Sequence, residues 1–167
     1  TIVYKDGLGR PVKVQDNAGS TSYAYGPFGG LHSVTDPGGA VTITERDAYG
    51  RVWKNVDPDR GTTIAHFNGF GELTSSMDAQ NRTITQAYDA LGRPPHRVDS
   101  DGETVWTWDK AITGVGKIAS VKSPDGHVVS TQYDKLGRPS LRRLTLGGEH
   151  FDLGFGYDSS SRLGSIT

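Results

Sequence analysis

Short segments of β-branched and aromatic residues recur along the chain, and clusters of turn-forming residues separate them. Examples lie at 51–56 (RVWKNV), 62–67 (TTIAHF) and 104–108 (TVWTW). Glycine, proline or an Asn/Asp turn interrupts the chain about every ten residues, which leaves no room for the sustained i, i+3, i+4, i+7 apolar face of a helix. The pattern therefore predicts strand, turn, strand throughout, and no helix.

Strict alternation of apolar positions is clearest in one segment, where four apolar residues are separated by single polar or glycine residues: Phe151, Leu153, Phe155 and Tyr157. We expect this strand to bury one face. The segment 83–88 (TITQAY) instead places Gln86 on the same face as Ile84 and Tyr88. That mixture favours a sheet that faces a modestly polar interior over one packed on a dry core.

A repeat of about 21 residues organises these segments. Its clearest copies are YDALGRP at 88–94 and YDKLGRP at 133–139, and RDAYGRV at 46–52 is a close relative. The glycine before the arginine recurs at intervals of 20, 21, 21 and 21 residues, at Gly9, Gly29, Gly50, Gly71 and Gly92. Regularity of this kind is the signature of a repeat architecture.

The repeat spacing lengthens by three residues before Gly116 and again before Ser161, and we expect both insertions to lie in loops. A second marker, an aspartate followed by turn-forming residues, stands seven residues after each glycine, at Asp16, Asp36, Asp57, Asp78 and Asp99. In later units it relaxes to Ser123 and Leu144. Two phased markers indicate one hairpin per repeat.

A single hairpin is too small to be stable alone, so neighbouring hairpins must cover each other's edges. The sequence predicts an all-β chain of tandem antiparallel β-hairpin repeats that form one continuous curved or spiral sheet. We expect about eight units in a single repeat region over residues 1–167, as a fragment of a larger protein. A β-propeller-like arrangement is the alternative, since two repeats could make a four-stranded blade, although four blades would barely close and the WD and kelch phrases are missing.

The amino-acid composition excludes several classes of function. Eighteen Lys and Arg residues nearly balance nineteen Asp and Glu residues, and no stretch concentrates one sign, so there is no electrostatic basis for nonspecific binding to nucleic acid or anionic membranes. The absence of cysteine excludes disulfides, thiolate catalysis and thiolate metal sites. No apolar run approaches the roughly 18 residues of a membrane span, and the start TIVYKDGLGRP lacks the features of a signal peptide. If the parent protein is exported, we expect its signal to lie elsewhere.

The phrases YDALGRP, YDKLGRP and YDSSSRL, phased with Asp-x-x-Gly-like turns, resemble the YD dipeptide repeats of RHS proteins, and the resemblance covers essentially the whole chain. It implies a spiral β-sheet that closes into a hollow shell, as in bacterial polymorphic toxins, insecticidal toxin complexes and the animal teneurins. The bacterial shells enclose a toxic C-terminal segment. Eight units would form only a partial turn of such a wall.

The resemblance also implies structural roles for the motif residues. Tyrosine should pack against neighbouring hairpins, aspartate and arginine should tie the tight connection by hydrogen bonds, and glycine should take positive φ. The residues at these positions are Tyr88, Asp89, Gly92, Arg93, Tyr133, Asp134, Gly137, Arg138, Gly50, Arg51, Tyr157 and Asp158. Several units depart from the motif: Arg46, Phe67 and Trp108 replace tyrosines, and Gly30 and Glu72 replace arginines.

The sequence contains few residues that are candidates for self-cleavage or metal binding. DPGGA at 36–40 and DPDRG at 57–61 are similar to the Asp-Pro-x-Gly context of a self-cleaving RHS core, but both occupy the ordinary turn phase of the repeat, and a hairpin turn explains them. Asp57 with Asp59, and Asp99 with Asp101, lack the later bidentate glutamate of a calcium loop. The histidines occur singly, without zinc-binding spacing: His32, His66, His96, His127 and His150.

No nucleophile elbow, P-loop or dinucleotide-binding fingerprint is present, so we predict no catalytic residue, no metal site and no cofactor, and no enzymatic activity. Five aromatic residues could line a carbohydrate or peptide groove, although the preferred interpretation is that they fill the sheet interface: Trp53, Trp106, Trp108, Tyr23 and Tyr25.

The predicted function is therefore structural: a non-catalytic repeat segment of an RHS shell that encapsulates a toxin or effector cargo. We expect the parent to be secreted or located at the bacterial cell surface. The expected partners are other repeats of the same shell and its enclosed C-terminal cargo, with self-association of this chain through sheet edges. A surface adhesion or glycan- or protein-binding repeat module is the alternative, and a self-cleaving RHS core is a further one.

Overall fold

The computed structural model describes residues 1–167 as sixteen β-strands with no helix. The strands are β1 (Ile2–Lys5), β2 (Pro11–Asp16), β3 (Gly19–Tyr25), β4 (Leu31–Thr35), β5 (Val41–Arg46), β6 (Val52–Asp57), β7 (Gly61–Phe67), β8 (Leu73–Met77), β9 (Thr83–Gln86), β10 (His96–Asp99), β11 (Gly102–Trp108), β12 (Ile118–Lys122), β13 (Val128–Tyr133), β14 (Pro139–Leu146), β15 (Glu149–Tyr157) and β16 (Leu163–Ile166). The all-β prediction is confirmed. The chain divides into two compact units, residues 1–83 and 84–167.

Strand order in the sheet follows chain order from β1 to β16. A β-propeller would divide the strands into separate four-stranded blades, so this continuous order contradicts the propeller-like alternative. The segments singled out in the sequence as strands form β6, β7 and β11. The structure contains no helix that could cross a membrane.

Two kinds of turn alternate along the chain. We call the turns at the repeat's first marker, which is a glycine everywhere except at Ser161 in the last repeat, the motif turns. They join an odd-numbered strand to the next even-numbered strand, at 6–10, 26–30, 47–51, 68–72, 89–93, 109–117, 134–138 and 158–162. The remaining turns, which we call the opposite turns, join an even-numbered strand to the next odd-numbered one. Within each compact unit, antiparallel pairing in chain order places the motif turns at one end of the strands and the opposite turns at the other.

A register shift accompanies most motif turns and lies just before the motif's aromatic position. Examples are the shifts between Gln132 and Tyr133 and between Gly156 and Tyr157. The turn itself requires the shift, because a four-residue turn that ends in a left-handed glycine adds one unpaired residue to one strand, as in a G1 bulge. Turn 89–93 differs: β9 and β10 have only four residues each. Pro94 and Pro95 follow it and have no N–H group to donate to the neighbouring strand.

The two insertions in the repeat are accommodated differently. The first lies in motif turn 109–117, as expected. The second lengthens strands, since β14 has eight residues and β15 has nine, so the expectation of a loop insertion is wrong there. Gly147 and Gly148 both have positive φ and supply the two left-handed residues of a tight hairpin turn. Leu144 consequently lies inside β14, opposite Phe151, and not at a turn.

The sheet has no dry core. No hydrophobic residue in the chain is buried, and the solvent-accessible surface is 11115 Å², against about 8,000 Å² for a self-contained globular protein of this mass. The expectation that β15 buries one face is wrong at its outer end, because Phe151 is 57% exposed and Leu153 is 41% exposed. Nothing in the chain covers those side chains. The fold thus leaves apolar surface that a further layer or partner would remove from water.

Candidate functional site: the motif turns

Each complete motif turn is tied by its own aspartate. In turn 134–138 the Asp134 N–H donates to the Arg138 carbonyl (2.8 Å) and the Gly137 N–H donates to the Asp134 carbonyl (2.9 Å). One carboxylate oxygen accepts the N–H groups of Leu136 and Arg138, both at 2.9 Å, and the other accepts Arg138 Nε at 2.7 Å. Gly137 has a φ of 72°, a conformation that costs glycine little. The turn is therefore closed by backbone and side chain together.

The same arrangement recurs in other motif turns. In turn 89–93, the carboxylate of Asp89 accepts the N–H groups of Leu91 and Arg93 at 2.8 and 3.0 Å, and Arg93 Nε at 2.8 Å. Further copies are centred on Asp6, Asp47 and Asp158. The aspartates, glycines and arginines singled out from the sequence therefore lie together in these turns.

One opposite turn has the same construction, which the sequence analysis missed. Asp78 accepts the N–H groups of Gln80 and Arg82 and the Arg82 Nε. Asn81, with a φ of 61°, takes the place of the glycine, as asparagine can. The signal in the sequence is the Asp-x-x-Asn-Arg spacing, in which aspartate and arginine stand four residues apart as they do in the motif turns.

Successive motif turns are linked by an arginine and an aromatic ring. The guanidinium of Arg138 lies 4.2 Å from the centroid of the Tyr157 ring, and the Tyr157 hydroxyl donates to the Pro139 carbonyl at 2.9 Å. Tyr25 has the same relation to the preceding repeat, with Arg10 at 4.3 Å from its ring and its hydroxyl on the Pro11 carbonyl. We call the contact between the guanidinium and the ring the ring–cation link; it is a cation–π attraction, and in these two repeats a hydrogen bond from the tyrosine hydroxyl accompanies it.

The link persists where the aromatic residue changes. Trp108 receives Arg93 at 4.9 Å, and its Nε1 donates to the Pro94 carbonyl at 3.0 Å. Arg51 lies 4.7 Å from the Phe67 ring. Phenylalanine and tryptophan at the aromatic position therefore keep the ring–cation link, and tryptophan also keeps the hydrogen bond.

The longest motif turn, 109–117, is held to its neighbours on both sides. Both terminal nitrogens of Arg93 donate to the Asp109 carboxylate, at 3.1 and 2.8 Å, which is a bidentate geometry. Hydrogen bonds from Arg93 and from the Gly116 N–H lower the pKa of Asp109. On the other side, the Thr113 hydroxyl donates to the Asp134 carbonyl at 2.7 Å. The insertion is thus fixed in place by both adjacent repeats.

In one motif turn, two residues that depart from the motif form a hydrogen-bonded pair of their own. In turn 68–72, Asn68 Nδ2 donates to the Glu72 carboxylate at 2.6 Å, while its Oδ1 accepts the N–H groups of Phe70 and Glu72. The asparagine–glutamate pair therefore replaces aspartate–arginine with donor and acceptor exchanged. Turn 26–30 has no such pair, because Gly26 and Gly30 occupy the two positions.

Hydrogen bonds within the turns favour the ionised form of the motif aspartates. Hydrogen bonds from the Arg93 side chain and then from its N–H lower the pKa of Asp89 below the ordinary value of 3.8. Hydrogen bonds from the N–H and then the side chain of Arg138 do the same for the pKa of Asp134. The pKa is also lowered at Asp6, Asp47, Asp78 and Asp158.

These shifts predict acid sensitivity. The unfolded chain takes up protons at these carboxylates near pH 3.8, whereas the folded chain does so only at lower pH. The stabilisation that these carboxylates give the folded chain is therefore fully present above the pKa of the unfolded chain, and it is lost as pH falls through the pKa values of the folded chain. We expect the urea midpoint to fall steeply below about pH 4. Asp134→Asn should be less stable than the parent at neutral pH and should lose less on acidification. Equal acid sensitivity in the two proteins would contradict this assignment.

The aspartates of the two Asp-Pro segments lie in ordinary hairpin turns. Asp36 Oδ1 accepts the Ala40 N–H at 2.8 Å, and Asp57 accepts the N–H groups of Asp59 and Arg60 and contacts the Thr42 hydroxyl. These carboxylates close their turns, in agreement with the turn interpretation. No group of three His, Cys, Asp or Glu side chains is placed to hold a metal ion.

The exposed aromatic residues are not the ones that the sequence analysis proposed for a groove. Trp53, Trp106, Trp108, Tyr23 and Tyr25 are all partly buried. The most exposed rings are instead at the tips of motif turns, just before the glycine, where Phe28 is 91% and Phe70 is 92% exposed. Tyr49 occupies the same position and is also exposed. The fixed position before the marker glycine is the sequence signal that could have identified them.

The comparisons with known proteins agree with this geometry. Residues 67–109 match the family model described as RHS Repeat. The Photorhabdus luminescens Tc holotoxin pore with a substituted TccC3 is similar in fold, with a TM-score of 0.59 and 16% identity over 99% of this chain and 11% of that chain. TcdB2–TccC3 without its hypervariable C-terminal region has a TM-score of 0.52 and 16% identity, again over 99% of this chain and 11% of that chain.

No curated protein matches the chain in sequence. The chain spans only 11% of the length of the two structures, and at 16% identity the likeness concerns the fold. The matched residues 67–109 include motif turns 68–72 and 89–93, and motif turns continue before and after them. Residues 67–109 thus match an RHS repeat, and the chain as a whole has the fold of these two Tc toxin structures.

Proposed function

We propose that this chain is a non-catalytic wall segment of an RHS shell that encloses a toxin or effector cargo. The observation that carries the proposal is the absence of any buried hydrophobic residue in a chain of sixteen paired strands. A chain that exposes about 3,000 Å² more surface than a globular protein of its mass is suited to a place in a larger assembly, where further repeats or an enclosed segment cover it. The fold shared with two Tc toxin structures supports this reading.

The contacts between successive motif turns are suited to the continuous wall of a shell. Each ring–cation link joins two successive repeats, so each hairpin is held in place by the next one. The proposed partners are further repeats of the same shell and an enclosed C-terminal segment and, for this chain alone, a second copy paired along a free edge strand. The proposed location is outside the producing cell or on its surface, as part of a larger exported protein.

The test is protease protection in a longer protein that contains this chain together with the segments before and after it. We expect the segment after the repeats to survive limited digestion with proteinase K while the repeats are intact. Trp108→Ala, which removes a ring–cation link, should expose that segment, whereas Phe70→Ala, which changes only a turn tip, should leave it protected. Digestion of the segment at one rate in all three proteins would overturn the enclosure proposal.

A surface-binding repeat module is the second candidate, and the exposed turn tips favour it. Phe28, Tyr49 and Phe70 occupy equivalent positions in successive motif turns, two strands apart, which corresponds to about 10 Å between neighbours. Retention of the chain on a glycan array, lost in a variant with all three residues changed to alanine, would support adhesion in place of enclosure.

A further inference from the structure

A cavity of about 380 Å³ opens between motif turns 26–30 and 47–51. Its wall includes the apolar side chains of Phe28, Leu31 and Trp53, together with the guanidinium of Arg46. The volume lies at the lower end of the range of small-molecule sites, about 300–1,000 Å³. The cavity therefore suits a ligand, or part of one, about the size of one or two amino-acid residues.

The cavity exists because one motif turn lacks its charged pair. In the turns before and after it, an arginine extends over the aromatic ring of the following repeat, as Arg10 does over Tyr25 and Arg51 over Phe67. Turn 26–30 has glycine at the aspartate and arginine positions, so no side chain from this turn occupies the corresponding space. The gap is thus a property of this repeat and not of the repeat pattern in general.

Arg46 occupies the aromatic position of the next repeat and turns towards the gap. A Cβ atom on Gly30 would lie 3.0 Å from Arg46 Nε, so the guanidinium lies directly against that glycine. Its Nη1 donates to the Gly50 carbonyl at 2.9 Å, and this is its hydrogen bond in the folded chain. Arginine has five N–H donors in a planar fork, so most of its donors remain available.

The charges around the cavity do not cancel. Glu45 is paired with Lys54 at 2.9 Å, and Asp47 is paired with Arg51 at 2.6 Å. Both acidic residues of the wall therefore already have a basic partner, whereas Arg46 has no salt bridge. The uncompensated charge at the cavity is positive and stands beside apolar side chains.

We propose that this cavity binds a carboxylate carried on an apolar group. The carboxylate pairs with the Arg46 guanidinium, whose fork matches two oxygen atoms, and the apolar group packs against Phe28, Leu31 and Trp53. A small aromatic acid and the C-terminal residue of a peptide share this chemistry. The site is separate from the structural role proposed above and does not depend on it.

The first experiment is a titration of the full 167-residue chain followed by NMR, with 3-phenylpropionate as the probe and 3-phenylpropanamide as its neutral counterpart. We expect saturable shifts of the Trp53 indole N–H, assigned with Trp53→Phe, and about tenfold weaker binding of the amide. A second pair of probes, acetyl-Gly-Gly-Phe with a free or an amidated C-terminus, distinguishes the sources. Tighter binding of the free peptide than of 3-phenylpropionate indicates a chain terminus, and equal or weaker binding indicates a small acid.

Variants locate the site. Arg46→Gln should weaken 3-phenylpropionate binding about tenfold or more, and Gly30→Arg, which places a side chain in the gap, should abolish it. Phe28→Ala should weaken binding, whereas Phe70→Ala, at the same position of another turn, should not; these two keep the test decisive even if Gly30→Arg fails to fold. Equal binding of acid and amide, undiminished binding by Arg46→Gln, or no binding of either acid at millimolar concentration would overturn the proposal.

Discussion

Replacing Gly61 with alanine is expected to destabilise the protein by about 3 kcal/mol, the sum of a backbone and a contact effect. Gly61 has a φ of 79°, and a Cβ atom there would lie 2.6 Å from the Cβ of Ala79 in the next opposite turn. The left-handed conformation disfavours any side chain, and the approach to Ala79 forces two opposite turns apart. Urea unfolding followed by far-UV circular dichroism would measure the loss.

Gly50 provides the matched control. Its φ is 80°, almost the same as that of Gly61, but nothing lies within 4 Å of the position its Cβ would take. Gly50→Ala should therefore show the backbone cost alone, about 1–2 kcal/mol. Adding Ala79→Gly to Gly61→Ala should recover the contact part. Equal losses for Gly50→Ala and Gly61→Ala would show that the opposite turns do not pack as closely as described.

Trp108→Ala should have the second largest effect, about 2–3 kcal/mol, less than for a fully buried ring because Trp108 is only partly buried. The substitution removes the ring beneath Arg93 and the hydrogen bond from Trp108 Nε1 to the Pro94 carbonyl. It also leaves Arg93 without its aromatic neighbour, although the bonds of Arg93 to Asp89 and Asp109 remain. Urea unfolding of the variant and the parent under the same conditions would give the difference.

Trp108→Phe separates the two contributions. The phenyl ring keeps a surface for Arg93 but cannot donate to Pro94, as is already the case for Phe67 beneath Arg51. We expect a loss of about 1 kcal/mol, the ordinary net value of one hydrogen bond. If phenylalanine and alanine are equally damaging, the hydrogen bond dominates and the ring–cation link contributes little to stability.

Local features of this fold could be predicted from the sequence because they depend on few residues. The motif glycines and their aspartates define each turn within five consecutive positions, and the glycine of such a turn must accept a left-handed conformation. Hence the strand segments at 51–56, 62–67 and 104–108 were placed correctly. The placement of Leu144 failed because two adjacent glycines form a tighter turn farther along the chain.

Contacts between repeats were harder to predict. The ring–cation link joins residues 15 to 19 positions apart, and the sequence alone does not show which arginine lies over which ring. Arg46 and Gly30 appeared in the sequence as two separate departures from the motif, yet they lie against each other in the structure. Their combined effect, a cavity, becomes visible only when strand pairing is known. The amount of exposed apolar surface likewise depends on the absence of a second layer, which strand patterns do not reveal.

The chain-order pairing of the strands also has a kinetic consequence. Every pair of strands in contact is consecutive in the sequence, so no pairing needs a distant part of the polypeptide. Low contact order of this kind favours rapid folding even for an all-β protein, because little loop-closure entropy is lost before each pairing forms. Once two or three hairpins have left the ribosome and paired, each later hairpin can thus dock on the edge of the one before it.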